Sequence, residues 1–326
     1  MRAILIFLLT TFAASASDFT PAELSGQTFI HDPSTVIRDG GNYFVFGTGP
    51  GVRVKSSPDL TNWENADIVF WRLPAWTRKV APNNLLRLRF SGDSFWAPDI
   101  IRVNGKFFLY YSVSAFGKQT SAIGLASNAT LDASATNYLW RDSGSVIASA
   151  KNSAFNAIDP SAFLDRDGKL WLAFGSYWHG IFLAELNPET GQRLATDSPL
   201  YHLAWNHSIE AACVTRHGNF YYLFVNWGEC CKGTNSTYEV RVGRAEKVSG
   251  PYLDRTGKDL ADGGGSPFLA SSGRFIGPGH IGMVDDGATN GVTQFTYHYY
   301  DAATQGRSRL ALGKIDWTDG WPRPTN

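Results

Sequence analysis

The junction Ile158-Asp159-Pro160-Ser161, the turn Asp167-Gly168, the apolar run Lys169 to Phe174 and the alternating run Ile181-Phe182-Leu183-Ala184 form the pattern that decides the fold. An Asp-Gly pair between apolar runs is a strong hairpin signal, so the stretch reads as a junction, a short strand, a tight turn and two more strands. The same unit recurs four more times, at His31-Asp32-Pro33-Ser34, Trp96-Ala97-Pro98-Asp99, Ile209-Glu210-Ala211-Ala212 and Gly277-Pro278-Gly279-His280. Turn glycines follow at Gly40, Gly105, Gly218 and Gly287, and aromatic strands at Tyr43 to Phe46, Lys106 to Tyr111, Phe220 to Val225 and Gln294 to Tyr300. Third strands follow at Val52 to Lys55, Ile123 to Ala126, Val240 to Gly243 and Leu310 to Gly313.

The anchors Asp32, Asp99, Asp159, Glu210 and His280 are 67, 60, 51 and 70 residues apart, so five units account for the chain beyond residue 16. A sheet of this size cannot bury both of its faces alone, so the units must stack. The expected architecture is all-β, a five-bladed β-propeller. An open solenoid is the alternative, but its repeats are usually shorter.

Upstream of the repeats, Arg2, the apolar run Ala3 to Ala13 and Ala14-Ser15-Ala16 read as a secretory signal peptide over residues 1–16. Residues 17–326 are then one exported domain. No later segment reaches about 18 uninterrupted apolar residues, so no membrane partner is expected. Lys+Arg and Asp+Glu balance at 29 each, leaving no basic surplus to neutralise phosphates, so nucleic acid is not an expected partner either. Charged residues make up only 18% against roughly 25% in typical soluble domains, and 21 Phe, 13 Tyr and 11 Trp suit a neutral ligand. A monomer is expected.

The three cysteines, Cys213, Cys230 and Cys231, are too few and odd in number for a disulfide scaffold. Adjacent Cys230 and Cys231 can close a vicinal disulfide or stay as two thiols, and spacing leaves both open. If closed, the small ring could offer an apolar contact to a sugar. Asn128, Asn206 and Asn235 stand in N-glycosylation sequons.

In a propeller the innermost strands start near one end of the channel, so Asp32, Asp99, Asp159, Glu210 and His280 are expected to ring one pocket. A single acid beside proline reads as a turn former. Five in register point to a site. Carboxylates crowded among aromatics acquire different pKa values, letting one act as acid and another as base. Glycosidic hydrolysis uses two carboxylates without cofactor or nucleophilic triad. Trp63, Trp71, Trp76, Trp96, Trp171, Trp178, Trp205 and Trp227 add indoles that can stack on sugar faces, although most are expected to pack between blades. No Gly-x-Ser-x-Gly, phosphate loop, His-Glu-x-x-His or Cys-x-x-Cys occurs.

In order along the chain stand His31-Asp32-Pro33-Ser34, Phe95-Trp96-Ala97-Pro98-Asp99, Tyr111 to Gly117 with Ala122 to Ala126, Asn156 to Pro160, Phe174 to Trp178, His207 to Ala211 and Gly277 to His280. At these motifs the sequence resembles glycoside hydrolase family 43, and within it the endo-1,5-α-L-arabinanases. The resemblance implies a secreted five-bladed propeller that cleaves internal α-1,5 bonds of arabinan with inversion. It matches Asp32 to the general base, Glu210 to the general acid and Asp159 to the carboxylate that tunes the acid. It also implies that Trp96 and Phe116 stack on arabinose, that Gly117, Asn156, Ser176 and Trp178 contact substrate, and that Asp99 either supports the site residues from behind or is structural. An inverting pair needs a gap of roughly 6.5–9.5 Å for water and substrate, which facing blades can supply.

His280 matches the family histidine that holds a calcium or other ion on the axis, completed by water. One protein ligand is a poor calcium site by ordinary rules, and a water bridge from neutral His280 to Asp159 is the alternative. No organic cofactor is expected. Ala212 stands where the family often has proline. The other readings are an exo-acting α-L-arabinofuranosidase or β-xylosidase on the same fold, and an inactive sugar-binding propeller.

Overall fold

A computed structural model describes residues 19–81, 95–285 and 293–326 of the chain. The signal sequence expected over 1–16 and the turn glycine expected at Gly287 lie outside the described residues.

The structure is nearly all β. Its strands fall into five antiparallel meanders: β2 (Val36–Asp39) to β5 (Asn62–Ile68), β6 (Trp96–Val103) to β9 (Arg141–Ser149), β10 (Ser161–Leu164) to β13 (Leu200–Ala204), β14 (Ile209–His217) to β17 (Ser266–Leu269), and β18 (Phe275–Asp285) to β21 (Arg323–Thr325). Within them lie β3 (Asn42–Gly47), β4 (Arg53–Ser57), β7 (Lys106–Val113), β8 (Ser121–Asn128), β11 (Leu170–Phe174), β12 (Ile181–Leu186), β15 (Phe220–Trp227), β16 (Glu239–Ala245), β19 (Gln294–Asp301) and β20 (Arg307–Asp316). Among the described residues, helix is limited to the turn α1 (Thr77–Val80) and short 3-10 segments. The hairpin turns fall where expected, with Gly40, Gly105, Gly168 and Gly218 all at positive φ, which glycine adopts without a Cβ clash.

The first and last meanders are joined. Innermost strands β18 and β2 pair in parallel at Val284 with Val36 and Asp285 with Ile37. The N-terminal segment adds a second tie, with Ile30 N–H donating to Ser308 O, Leu310 N–H to Thr28 O, and β1 (Ser25–Gly26) lying parallel to β5.

Among the described residues the core divides into five clusters, one between each successive pair of meanders and the fifth between the last and the first. This explains the strands that are apolar throughout. Successive side chains of a strand point to opposite faces, and here both faces are covered. Along β7, Phe107, Leu109 and Tyr111 pack toward the first meander, while Phe108 and Tyr110 pack toward the third. Along β15, Tyr221, Leu223 and Val225 face the third meander, while Tyr222 and Phe224 face the fifth.

The junctions share a backbone feature that side-chain identity does not reveal. Asp32, Ala97, Asp159, Ala211 and His280 are all left-handed, with φ of 48°, 44°, 56°, 54° and 57°. Non-glycine residues rarely adopt this conformation, so something must hold each one. In four cases a side chain near the end of the preceding meander's second strand accepts the junction N–H. Thr48 Oγ1 takes Ala97 at 2.8 Å, Ser112 Oγ takes Asp159 at 3.0 Å, Asn226 Oδ1 takes His280 at 2.9 Å, and His298 Nδ1 takes Asp32 at 3.2 Å. The fifth differs: Ala211 N–H goes to Asp159 Oδ2 at 3.1 Å, and the corresponding hydroxyl, Ser176, turns to Glu210.

Candidate active site

The left-handed residues define the structural register, and it differs from the register of the acids. Asp32, Asp159 and His280 occupy the special position, but Glu210 precedes it by one residue and Asp99 follows it by two. The expected ring of five therefore loses a member. Asp99 is buried between meanders, where Oδ1 accepts Thr35 N–H and Oδ2 accepts Ala162 N–H, both at 2.9 Å. Burial pushes its carboxyl up to about 6 against those bonds.

The remaining acids meet in a cavity of about 560 Å³ lined by Asp32, Asp159, Glu210, His280, Trp96 and Phe116. His31, Thr48, Cys230, Cys231, Tyr238 and Tyr300 complete much of the wall. Phe116 is 82% exposed, an aromatic face left open at the rim.

Each carboxylate has its own surroundings. Thr48 Oγ1 donates to Asp32 Oδ2 at 2.6 Å. Oδ1 faces His31 Nε2 at 3.5 Å and the Nδ1 atoms of His280 and His298 at 3.7 Å, beyond good hydrogen-bond length. Burial raises the Asp32 pKa, but the three imidazoles and the Thr48 hydroxyl overcome it and bring it to about 2. Burial lowers both His280 and His298, the latter strongly, so at neutral pH these rings are neutral beside an ionised carboxylate. Because His298 Nδ1 accepts the Asp32 N–H, its proton sits on Nε2, a buried atom without a partner among the described residues.

Glu210 has the opposite balance. Ser176 Oγ donates to Oε2 at 2.7 Å and Tyr238 Oη donates to Oε1. Burial pushes its pKa up to about 7, the Ser176 bond opposes the rise, and the Asp32 charge adds to it. Asp159 is raised well above the ordinary carboxylate range by burial first, then by Glu210 and Asp32. The ionised neighbour that lifts Glu210 is thus Asp32, because Asp159 itself resists ionisation.

The other expected contacts separate. Ser176 reaches Glu210, whereas Asn156 is buried, with Oδ1 accepting Ser121 Oγ at 2.7 Å. Ser121 in turn meets Ser114 Oγ at 2.8 Å, so Asn156 underpins the turn 115–118 that carries Phe116 and Gly117. Gly117 and Trp178 lie outside the cavity lining, Trp178 with left-handed backbone and 41% of the residue exposed. Trp63 and Trp171 are core residues. Cys230 and Cys231 are disulfide-bonded, and Cys213 is a buried free thiol. The sequence reading did not single out Thr48, Tyr238, His298 or Tyr300, which come from second strands and loops outside the junction motifs. The hairpin repeat was a signal for Thr48 and His298, since both stand where the aromatic strands return to the junction end.

A recess of similar size, about 590 Å³, lies between Phe220, Arg244, Arg255 and Trp321. Arg244 covers Phe220 and Trp321 and Arg255 also covers Trp321, so those rings are already occupied.

Buried carboxylates with divergent affinities for protons, in a cavity edged by open aromatic rings, are the equipment of a glycoside hydrolase. The comparisons agree: the profile of Glycosyl hydrolases family 43 matches residues 26–322, and the chain belongs to that family. It is 39% identical over 311 residues to the extracellular exo-α-(1→5)-L-arabinofuranosidase ArbA of Cellvibrio japonicus, covering 91% of this chain and 86% of that one. It is 38% identical over 314 residues to the extracellular endo-α-(1→5)-L-arabinanase 1 of Bacillus subtilis, covering 93% and 91%. The α-L-arabinanase of Cellvibrio cellulosa in complex with arabinohexaose superposes with a TM-score of 0.83 at 38% identity, covering 92% of this chain and 96% of that one.

Proposed function

We propose that this glycoside hydrolase is an exported five-bladed propeller, residues 17–326, which cuts internal α-1,5-L-arabinofuranosidic bonds of arabinan with inversion. The observation that carries this is the split between Asp32, held down to about 2, and Glu210, pushed up to about 7, in one aromatic-edged cavity. Relatives named for α-1,5-arabinan support the substrate, two of them are named extracellular, and the junction-to-neighbour bonds with five inter-meander clusters support the closed propeller.

At neutral pH Asp32 is an ionised base. Thr48 fixes one oxygen, and the other faces imidazole nitrogens at long range, leaving it to accept a proton from water. Glu210 holds a proton for the departing sugar oxygen. As water attacks the anomeric carbon from the face opposite the leaving group, its proton passes to Asp32 while Glu210 gives its own to the departing oxygen. Asp159 acts on the acid through the backbone, since its Oδ2 anchors the N–H that follows Glu210. Trp96 and Phe116 offer stacking faces, with Gly117 and Trp178 as outer contacts, Ser176 orienting Glu210 and Asn156 bracing the Phe116 turn.

An ion on the axis is also proposed, with His280 as its protein ligand. The neighbouring donors, one carboxylate oxygen and imidazoles, fall well short of six to eight oxygens, so such an ion would be held largely by water. No reaction step needs it.

The test is chromatography of products released over time from linear 1,5-α-L-arabinan. A spread of oligosaccharides early in the reaction is the expected result. Arabinose alone from the start would establish exo action, in line with the Cellvibrio japonicus relative, and no product would overturn the substrate.

A further inference from the structure

The Cys230–Cys231 disulfide lies in the wall of the cavity that holds Asp32 and Glu210. Its neighbour is the base. Cys231 Sγ is 3.5 Å from His31 Nε2, and the same nitrogen is 3.5 Å from Asp32 Oδ1. The loop is pinned in place: Cys231 N–H donates to Tyr300 Oη at 2.7 Å, Lys232 N–H to Ser236 Oγ at 3.0 Å, and Gly228 N–H to Ser208 O at 3.1 Å. Breaking the sulfur bond therefore leaves both side chains beside His31. The two sulfurs and a His31 ring nitrogen all lie within 4.8 Å of one another.

We infer that this disulfide conceals an inhibitory zinc site. A dithiol reductant converts the protein disulfide to two thiols and is itself oxidised to a cyclic disulfide. Both thiols then release their protons to solvent as their sulfurs, together with His31, bind a zinc ion. Two thiolates, one imidazole and one water form a tetrahedral set, with Zn–S about 2.3 Å and Zn–N about 2.0 Å, reachable from the present spacing by side-chain rotation. Zinc suits this soft S and N set better than a hard cation does.

The consequence follows from His31. A dication on its Nε2 stands beside Asp32 and holds the carboxylate that must accept a proton from water, while the filled wall narrows the cavity. The enzyme is silent when reduced and zinc-loaded, and active when oxidised. A chain passing from a reducing to an oxidising compartment would be switched on by the passage.

The inference rests on the proposed activity only for its inhibitory half, so the experiment reads binding and rate separately. Full-length mature protein is reduced with a dithiol, desalted without oxygen, equilibrated with zinc and dialysed. Bound zinc is measured by atomic emission, and the rate on linear 1,5-α-L-arabinan is compared with each protein's own zinc-free rate. Reduced protein is expected to retain about one zinc more than oxidised protein, and to lose at least roughly tenfold in rate, reversibly with a chelator. The double variant Cys230→Ser/Cys231→Ser should retain no extra zinc under reduction. Equal zinc in reduced wild type and double variant overturns the site, and retained zinc with an unchanged rate overturns the switch. Oxidised, zinc-free protein inactive on arabinan would overturn the proposed activity instead, while the zinc measurement still decides the site.

Discussion

Asp159 and Asp99 both sit beside a proline at the entrance to an innermost strand, yet they do different work. Asp159 precedes its proline, is itself the left-handed residue, and turns its carboxyl into the cavity beside Glu210. Asp99 follows its proline, two residues beyond the left-handed Ala97, and its oxygens clasp backbone N–H groups of the meanders on either side. An offset of two residues, accompanied by the bulge that interrupts strand pairing between Trp96 and Asp99, thus separates an acid that faces the cavity from a structural staple.

The contrast is tested most severely at the cavity. Glu210→Ala and Asp32→Ala are each expected to lower kcat on arabinan by roughly 10² to 10⁴-fold, with the melting transition little changed. Steady-state kinetics with calorimetry on the same samples would check this. Full turnover by either variant would remove that residue from the reaction.

Asp99→Ala should do the reverse. It leaves the buried Thr35 and Ala162 N–H groups without acceptors, a loss on the order of 2 kcal/mol at mildly acidic pH, while kcat stays within about threefold. The pH dependence has a definite sign. Its folded pKa, about 6, lies above the ordinary value of 3.8, so its contribution is complete below 3.8 and is lost as pH rises through 6. Denaturant unfolding should therefore show a larger gap between wild type and variant at pH 4 than at pH 8. A kinetic defect with unaltered stability would place Asp99 in the reaction after all.

This contrast also marks how far the sequence could be read. Gly40, Gly105, Gly168 and Gly218, the doubly apolar strands and the Pro-containing junctions express hairpins and two-faced burial in residue types, so the repeat was legible. The true register was not, because alanine at 97 and 211 gives no hint of left-handed backbone, and the acids at 99 and 210 offered a plausible but shifted alignment. Asp32, Asp159 and Glu210 were legible because each lies close enough to the special position to reach the cavity from either register. Tyr238 and His298 were not, since their roles depend on contacts between meanders far apart in the chain: Tyr238 Oη reaches Glu210, and His298 Nδ1 takes the Asp32 N–H. Neither carries a local motif.

The smallest expected effect lies at the one place where the junction bonding departs from its pattern. Thr48, Ser112, Asn226 and His298 each accept a junction N–H, but Ser176 donates to Glu210 instead. A hydrogen bond donated to an ionised carboxylate favours the ionised form, so Ser176 holds the acid below where burial alone would leave it. With Glu210 as acid and Asp32 as base, activity should fall as pH rises through about 7, and on the other side only as pH drops toward about 2. Ser176→Ala removes the opposing bond, so the alkaline limb should move upward by something under about one pH unit. The plateau rate should fall only a few-fold, because Tyr238 still holds the other oxygen. A pH profile of kcat/KM for the two proteins decides it: an unmoved or lowered limb would mean that Ser176 does not stabilise the ionised acid, and that its departure from the junction pattern has no part in setting the working pH.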